Sequence, residues 1–272
     1  MPYSLVLNLV PLAPISPKYL QGRHIHALFL SLINAVDADL SEQLHQSQGN
    51  KPFTTSPLQT YNPHNAPLLQ WHHPKPIPKG TPCWVRVSLL DEGMFGRLTQ
   101  LWLNLNLEQP WHLGSTDLQI TSILGTPQAE QPWANACLYE QLYEEASSEE
   151  RNLSFLFATP MAFRQGKYDT AFPQQESVFN SLRSRWNKYS GIELPELALE
   201  NLYPSFFNIH TEMVMDARSK FIGCVGELNY RFLGKTDAAT VKGVNALADF
   251  ALYAGIGRKT TMGMGMVRRR KG

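Results

Sequence analysis

Apolar residues alternate along Tyr3–Pro11, with Leu5, Leu7 and Leu9 set between Val6, Asn8 and Val10. That two-residue period predicts a strand closed by prolines. Beyond Pro17 the period lengthens. Ile25, Leu28, Leu32, Val36, Leu40 and Leu44 recur every three or four residues, which predicts one long helix from about Gln21 to Ser47, ended by Gly49 and Lys51-Pro52. Phe53–Leu58 predicts a short strand. Six prolines between positions 61 and 82 allow only a loop. Cys83–Leu90 and Asp117–Ile123 predict strands, and Phe95, Leu98, Leu101 and Leu105 place a helix over 94–107. The order is β-α-β-β-α-β, the split unit of ferredoxin-like folds.

The segment GTPQAEQPWANA reads as a linker, and an acidic stretch, Glu140–Glu150, leads into a second set. Leu153–Ala158 is a predicted strand and Ser177–Tyr189 a helix. Strands at Asn208–Met215 and Lys220–Phe232 flank a turn at Ala217–Ser219. A helix at Ala239–Tyr253 precedes a glycine-rich loop and a last strand at Gly265–Arg268. The same six-element order therefore recurs. The expected fold class is α+β: two tandem ferredoxin-like, RRM-like domains, over residues 1–125 and 136–272.

Composition narrows the function classes. Of 272 residues, 43% are hydrophobic and 17% charged, enough apolar mass for packed cores and too little charge for a disordered chain. No apolar run approaches the ~20 residues of a membrane helix. The start of the chain lacks the basic region of a secretory signal, so a cytoplasmic protein that does not engage a membrane is expected. Cys83, Cys137 and Cys224 are too far apart for a disulfide framework or a metal knuckle. The net charge of +1 conceals a gradient: residues 136–150 carry five acids and no base, while 236–272 carry seven bases against two acids. A phosphate-bearing partner would have to meet a local basic surface near the C-terminus.

That surface includes Gly255-Ile-Gly257-Arg258-Lys259-Thr260-Thr261-Met262-Gly263-Met264-Gly265. The four glycines would let backbone N–H groups approach a ligand, and Arg258 and Lys259 could meet phosphate oxygens. The loop is neither a Walker loop nor a dinucleotide fingerprint, because Lys259 follows Arg258, Thr260 replaces the third glycine, and a helix precedes it. A sharp helix-to-strand turn with Gly255 as C-cap is the structural alternative. The adjacent Arg268-Arg269-Arg270-Lys271 tips the reading toward a polyanion, since each neutralised nucleic-acid phosphate adds affinity by counterion release.

The loop GIGRKTTMGMG before the final strand resembles that of the CRISPR-associated endoribonucleases that cut precursor CRISPR RNA within its repeats. TPMAFRQGKY (159–168) with SVFNSLRSRWNKY (177–189) is similar to the start of their C-terminal domain, and LHQSQGNKPFTTSPL (44–58) to their N-terminal segment. The resemblance covers both halves in the right order. It implies two ferredoxin-like domains and a loop that helps hold RNA. It also implies catalysis with no metal or other cofactor, and CRISPR repeat RNA as partner. Other CRISPR effector subunits and a homodimer stay open as further partners. RNA binding falls to Gly255, Gly257, Arg258, Lys259, Thr260, Gly263, Gly265, Arg268 and Arg269.

Family members commonly carry a catalytic histidine at the end of the first long helix and a basic residue shortly after; the resemblance places those roles on His45 and Lys51. A histidine titrating near neutrality suits proton transfer to or from a ribose 2′-hydroxyl or a leaving oxygen. A helix C-terminus favours the imidazolium, and a lysine can stabilise a charged phosphorane. Some members add a tyrosine inside the first helix, which His26–Leu40 lacks. That absence leaves a second acid–base group unassigned and keeps a non-catalytic RNA-binding subunit as the alternative; a nucleotide-binding regulator is a weaker one. His24 and His26, two residues apart, cannot both face the site and read as polar-face residues. Adjacent His72 and His73 make a poor metal ligand set. Glu140, Glu144 and Glu145 read as a solvated acidic face. Trp186, Phe206 and Phe207 read as core, while Arg183 and Arg185 could cover phosphates or solvate a helix.

Overall fold

A computed structural model of the chain describes residues 1–46, 49–61, 68–98, 111–216 and 219–270. The first half builds a sheet from β1 (Tyr3–Pro11), β2 (Phe53–Thr55), β3 (Gln59–Thr60), β4 (Cys83–Leu89), β5 (Trp111–Leu113), β6 (Thr116–Leu124) and β7 (Asn135–Ala136). Its main path runs β2-β4-β1-β6-β5. The second half contributes β8 (Asn152–Met161), a small hairpin of β9 (Phe163–Gln165) and β10 (Tyr168–Thr170), then β11 (Leu202–Asp216), β12 (Ser219–Phe232) and β13 (Val267–Arg270). Its four-stranded sheet runs β11-β12-β8-β13. Every pairing is antiparallel. In each half the order of the principal strands is that of a ferredoxin-like fold, so the tandem architecture expected from the pattern is the one observed.

The helices are α1 (Gly22–Val36), α2 (Ala38–Gln46), α3 (Glu92–Arg97), α4 (Tyr139–Glu144), α5 (Gln175–Tyr189) and α6 (Ala238–Ala254). The expected long first helix is two helices. Asp37 leaves the helical region (φ −154°, ψ 89°). Its carboxylate accepts from the Leu40 N–H at 2.8 Å and from Arg97 at 2.7 and 2.8 Å, so it caps α2 while α1 ends. The apolar stripe runs unbroken across the joint, which is why periodicity alone does not reveal it. The second half of the 94–107 helix, the turn residues Ala217 and Arg218, Ser47 and Lys271 lie outside the described residues. The last strand begins at Val267 rather than Gly265. β7 pairs with β1 (Tyr3↔Ala136, Ser4↔Asn135), so the end of the linker segment joins the first sheet.

Both faces of the first sheet are covered, which explains why β4 is buried along its whole length. Leu7, Leu9, Val85 and Val87 pack against Ile25, Leu28, Phe29 and Ile33 of α1. Val6 and Trp84, on the opposite face, meet Trp133, Leu156, Ala158 and Met266, which closes one half against the other.

Arg86 sits within this closure, fully buried on β4. Its guanidinium donates to the Leu252 carbonyl and, at 2.7 Å, to Thr54 Oγ1. Thr54 in turn donates to the Tyr253 carbonyl at 3.1 Å. Leu252 and Tyr253 lie in the last turn of α6, where carbonyls have no intrahelical partner. The first half therefore caps a helix of the second. Arg86→Ala leaves the Leu252 carbonyl without its donor in a buried interface and is expected to cost about 2–4 kcal/mol of unfolding free energy. A denaturant titration measures it, and an unchanged midpoint would show that the contact is dispensable.

Candidate nucleic-acid interface and acid–base site

α6 ends at Gly255 (φ 62°), whose N–H donates to the Ala251 carbonyl at 2.9 Å. The chain then folds into a loop with a 3-10 turn at Thr260–Met262 before β13. Two residues of α5 brace it. Arg185, buried, donates to the carbonyls of Gly255 (2.9 Å) and Gly257 (2.7 Å), and Ser181 Oγ accepts the Gly257 N–H at 3.2 Å. Burial lowers the Arg185 pKa to about 10, which still leaves it cationic at neutral pH. Arg185 therefore neither covers phosphates nor solvates its helix; it grips the loop.

The loop's amides are largely committed. Ile256 donates to Gly265, Arg258 to Ala162 and Gly265 to Pro160, at 2.9–3.0 Å. The glycines serve close approach more than open N–H groups. At Gly263 (φ 85°) a methyl would lie 2.7 Å from the Pro57 nitrogen, so only glycine lets the loop settle on the segment just after β2.

The first half meets the loop at two places. A methyl on Gly22, the first residue of α1, would stand 1.9 Å from the Met262 carbonyl oxygen, so α1 begins flush against the loop. One turn on, His26 Nδ1 lies 3.0 Å from the Thr261 carbonyl, which also accepts from Thr55 Oγ1 at 2.9 Å. A carbonyl only accepts, so Nδ1 carries the hydrogen and the neutral ring keeps its lone pair on Nε2. Burial pushes the His26 pKa below its ordinary value. The carbonyl bond opposes that shift, and the nearby charges of Lys51 and His45 add to it. The ring stacks on Phe53, with centroids 5.6 Å apart.

Lys51 donates to the Leu44 carbonyl at 2.5 Å, capping α2, and burial lowers its pKa. Its turn is held from the second half. The Asn50 carbonyl accepts from Tyr189 Oη (2.6 Å) and Lys188 Nζ (2.7 Å), while Asn50 Nδ2 donates to Ser184 Oγ at 3.1 Å. Ser181, Ser184, Arg185 and Lys188 form one stripe of α5 at helical spacing, so a single helix face holds both the loop and the Lys51 turn. Between them lies a cavity of about 470 Å³ lined by Lys51, Arg164, Ser181, Arg258, Lys259 and Thr261, among others. His45 is exposed in the last turn of α2.

Sequence-expected residues thus divide. Lys51, Gly257, Arg258, Lys259 and Thr260 line the cavity between the Lys51 turn and the loop, whereas His45 lines a separate groove between α1 and α2 with Leu30, Asn34 and Glu42. Arg269 points to the α6 face, 3.4 Å from Asp249 and 2.6 Å from Asn245, and does not face the cavity. Arg268 lies over the Trp133 ring at 5.6 Å and borders a separate groove between the sheets. Phe206 and Phe207 are exposed, not core, whereas Trp186 is core. His73 is buried, bound to the Leu58 carbonyl at 2.8 Å. His24 is edge-on to Tyr19, while His26 is a member of the site rather than a polar-face residue. Sequence reasoning also missed Arg164 and the bracing role of Arg185. Among the described residues, no three His, Cys, Asp or Glu side chains converge as a metal site, and no helix is long and apolar enough to cross a membrane.

Comparison with known proteins matches residues 1–144 to the CRISPR Cas6 N-terminal domain and 155–267 to the CRISPR-associated endoribonuclease Cas6 domain. The CRISPR-associated endoribonuclease Cas6 of Streptococcus thermophilus is 30% identical over 254 residues, 87% of each chain. A solved Cas6 (TTHB231) product complex superposes with a TM-score of 0.81 at 26% identity, covering 99% of this chain and all of that one. Thermus thermophilus Cas6 (TTHB231), covering 99% and 98%, superposes with a TM-score of 0.73 at 24% identity.

Gly22→Ala forces α1 away from the loop. It is expected to destabilise the protein by about 1–3 kcal/mol and, by opening the His26 pocket to water, to move the His26 pKa up toward its ordinary value. Thermal melts and an NMR titration of the imidazole check both outcomes.

Proposed function

The chain belongs to the CRISPR-associated Cas6 endoribonuclease family, and from that membership we propose that it cuts precursor CRISPR RNA within its repeats without a metal. The nucleophile is the ribose 2′-hydroxyl beside the scissile phosphate. Attack forms the P–O2′ bond and breaks P–O5′, leaving a 2′,3′-cyclic phosphate on one fragment and a 5′-hydroxyl on the other. The 2′-hydroxyl proton passes to His26 Nε2 and the leaving 5′-oxygen takes a proton from His45. Lys51 keeps two N–H donors beyond the Leu44 bond for the non-bridging oxygens of the phosphorane.

The observation that carries this reading is the bond between His26 and Thr261. It fixes the tautomer with the lone pair on Nε2, and burial keeps the ring neutral near pH 7, the state a general base requires. His45, at the carbonyl end of α2, complements it as the acid. The pair supplies the second acid–base group that the absence of a helix tyrosine leaves unassigned. A relative solved as a product complex supports RNA as the occupant of the adjoining cavity, with Gly257, Lys259 and Thr260 along its wall. Gly255, Gly263 and Gly265 shape the loop, and Arg268 and Arg269 lie beyond it. Because the family is one of endoribonucleases, the nuclease reading takes precedence over a purely binding subunit.

The test uses repeat RNAs transcribed from the arrays of the organism that encodes the chain. Cleavage is expected to persist in EDTA, with cyclic-phosphate ends identified by mass spectrometry. His26→Ala and His45→Ala should each slow single-turnover cutting by roughly 10²–10⁴-fold while RNA affinity stays within a few-fold. The acid limb of the rate should fall below the ordinary imidazole value of ~6.5, because a base of lowered pKa stays active until it protonates, and His26→Ala should abolish that limb. Activity lost in EDTA and restored by magnesium would overturn the mechanism.

A further inference from the structure

Most of the arginines near the loop and the C-terminal strand are already engaged by carboxylates. Arg258 Nη1 lies 2.5 and 2.6 Å from the two oxygens of Asp169, and Arg164 Nη1 lies 3.5 Å from one of them. Arg269 pairs with Asp249, and Arg270 with Glu227. Asp169 is the deepest of the three acids, with its side chain 11% exposed against 19% and 31% for the others. Both of its partners line the cavity beside Lys51, although Asp169 itself does not.

We infer that Asp169 is a specificity determinant: its carboxylate occupies the two cavity arginines as a phosphate would, and only an RNA that brings a phosphate to them and also offers donors to the released carboxylate displaces it without penalty. The inference rests on the RNA reading above. Attraction between arginine and phosphate is blind to sequence, so an unpaired arginine strengthens binding to every RNA alike. A paired one imposes a condition. The phosphate must arrive where it can replace two carboxylate oxygens, and the displaced Asp169 must be accommodated or left buried without its partner, which is costly. A cognate repeat whose base amino groups receive the released carboxylate avoids that cost. A random strand does not, which is discrimination by a built-in competitor.

The local structure suits such a competitor. Asp169 and Arg164 are directly opposite on the two-stranded β9–β10 hairpin, outside the main sheet, where pairing is weakly supported by neighbours. Arg258 is anchored independently by its own N–H to the Ala162 carbonyl at 3.0 Å and lies 5.4 Å over the Phe221 ring. The hairpin can therefore yield while the arginine keeps its place.

Asp169→Asn keeps the shape and removes the charge. Against polyuridylate matched in length to the repeat, it is expected to bind about five- to tenfold tighter at ~0.1 M salt. Its logarithmic salt slope should steepen by roughly 0.7–1.4, as one or two further phosphates are neutralised. Affinity for the repeat RNA that the wild type cuts should change less than about twofold, so the ratio between the two RNAs collapses. Equal shifts for both RNAs, or none, would overturn the inference. Should the variant melt early, Arg258→Gln decides the matter separately. It should weaken repeat binding and leave polyuridylate binding nearly unchanged, and equal weakening of both RNAs counts against the inference. Wild-type protein that binds neither RNA would overturn the RNA reading itself, a result distinct from these.

Discussion

Two buried guanidiniums, neither with a carboxylate partner among the described residues, hold the end of α6 and the loop that follows it. Arg86 comes from the first half and takes the Leu252 carbonyl; Arg185 comes from α5 and takes those of Gly255 and Gly257. A helix C-terminus concentrates partial negative charge on carbonyls that nothing inside the helix can satisfy. Burying an arginine there costs desolvation, visible in pKa values lowered to about 9 and about 10. The cost is offset because the same act satisfies several acceptors at once. The position of the loop, and with it the Thr261 carbonyl that orients His26, follows from these two contacts.

The consequence is a site that neither half owns. His26, His45 and Lys51 lie on the first half, yet the carbonyl that sets the His26 tautomer and the side chains that clamp the Lys51 turn belong to the second. Any loosening between the halves would therefore alter the surroundings of His26 and Lys51 before it acted on either core. The close approach of Gly22 to Met262 is the mechanical expression of the same dependence. A ligand lying in the cavity would touch both halves, since Lys51 comes from the first and Arg164, Ser181, Arg258 and Lys259 from the second.

Much of the fold was legible in the chain because period two and period 3.6 are local properties. The strands β1, β4 and β6 and the helices α5 and α6 fall close to their expected limits. The break at Asp37 was not, since a capping aspartate inserted without disturbing the apolar stripe leaves periodicity intact; the clue was its carboxylate three residues before Leu40. The site was legible only in part. His45 and Lys51 rest on a resemblance of local motifs, whereas His26 acquires its character from a carbonyl 235 residues away. Spacing on the helix gave no preference between His24 and His26; the distinguishing fact is which of them meets the loop.

Charge shows the same limit. Read along the chain, the last 37 residues are strongly basic, a surplus that suggests a polyanion. In three dimensions Arg258, Arg269 and Arg270 each lie against an acid drawn from elsewhere in the second half: Asp169, Asp249 and Glu227. A count of bases therefore overstates the field offered to a passing strand. For an enzyme that must find one repeat among many RNAs this pairing is useful, because non-specific electrostatic binding is the main competitor of specific binding. The basic tail is therefore a set of paired charges rather than a uniformly attractive surface.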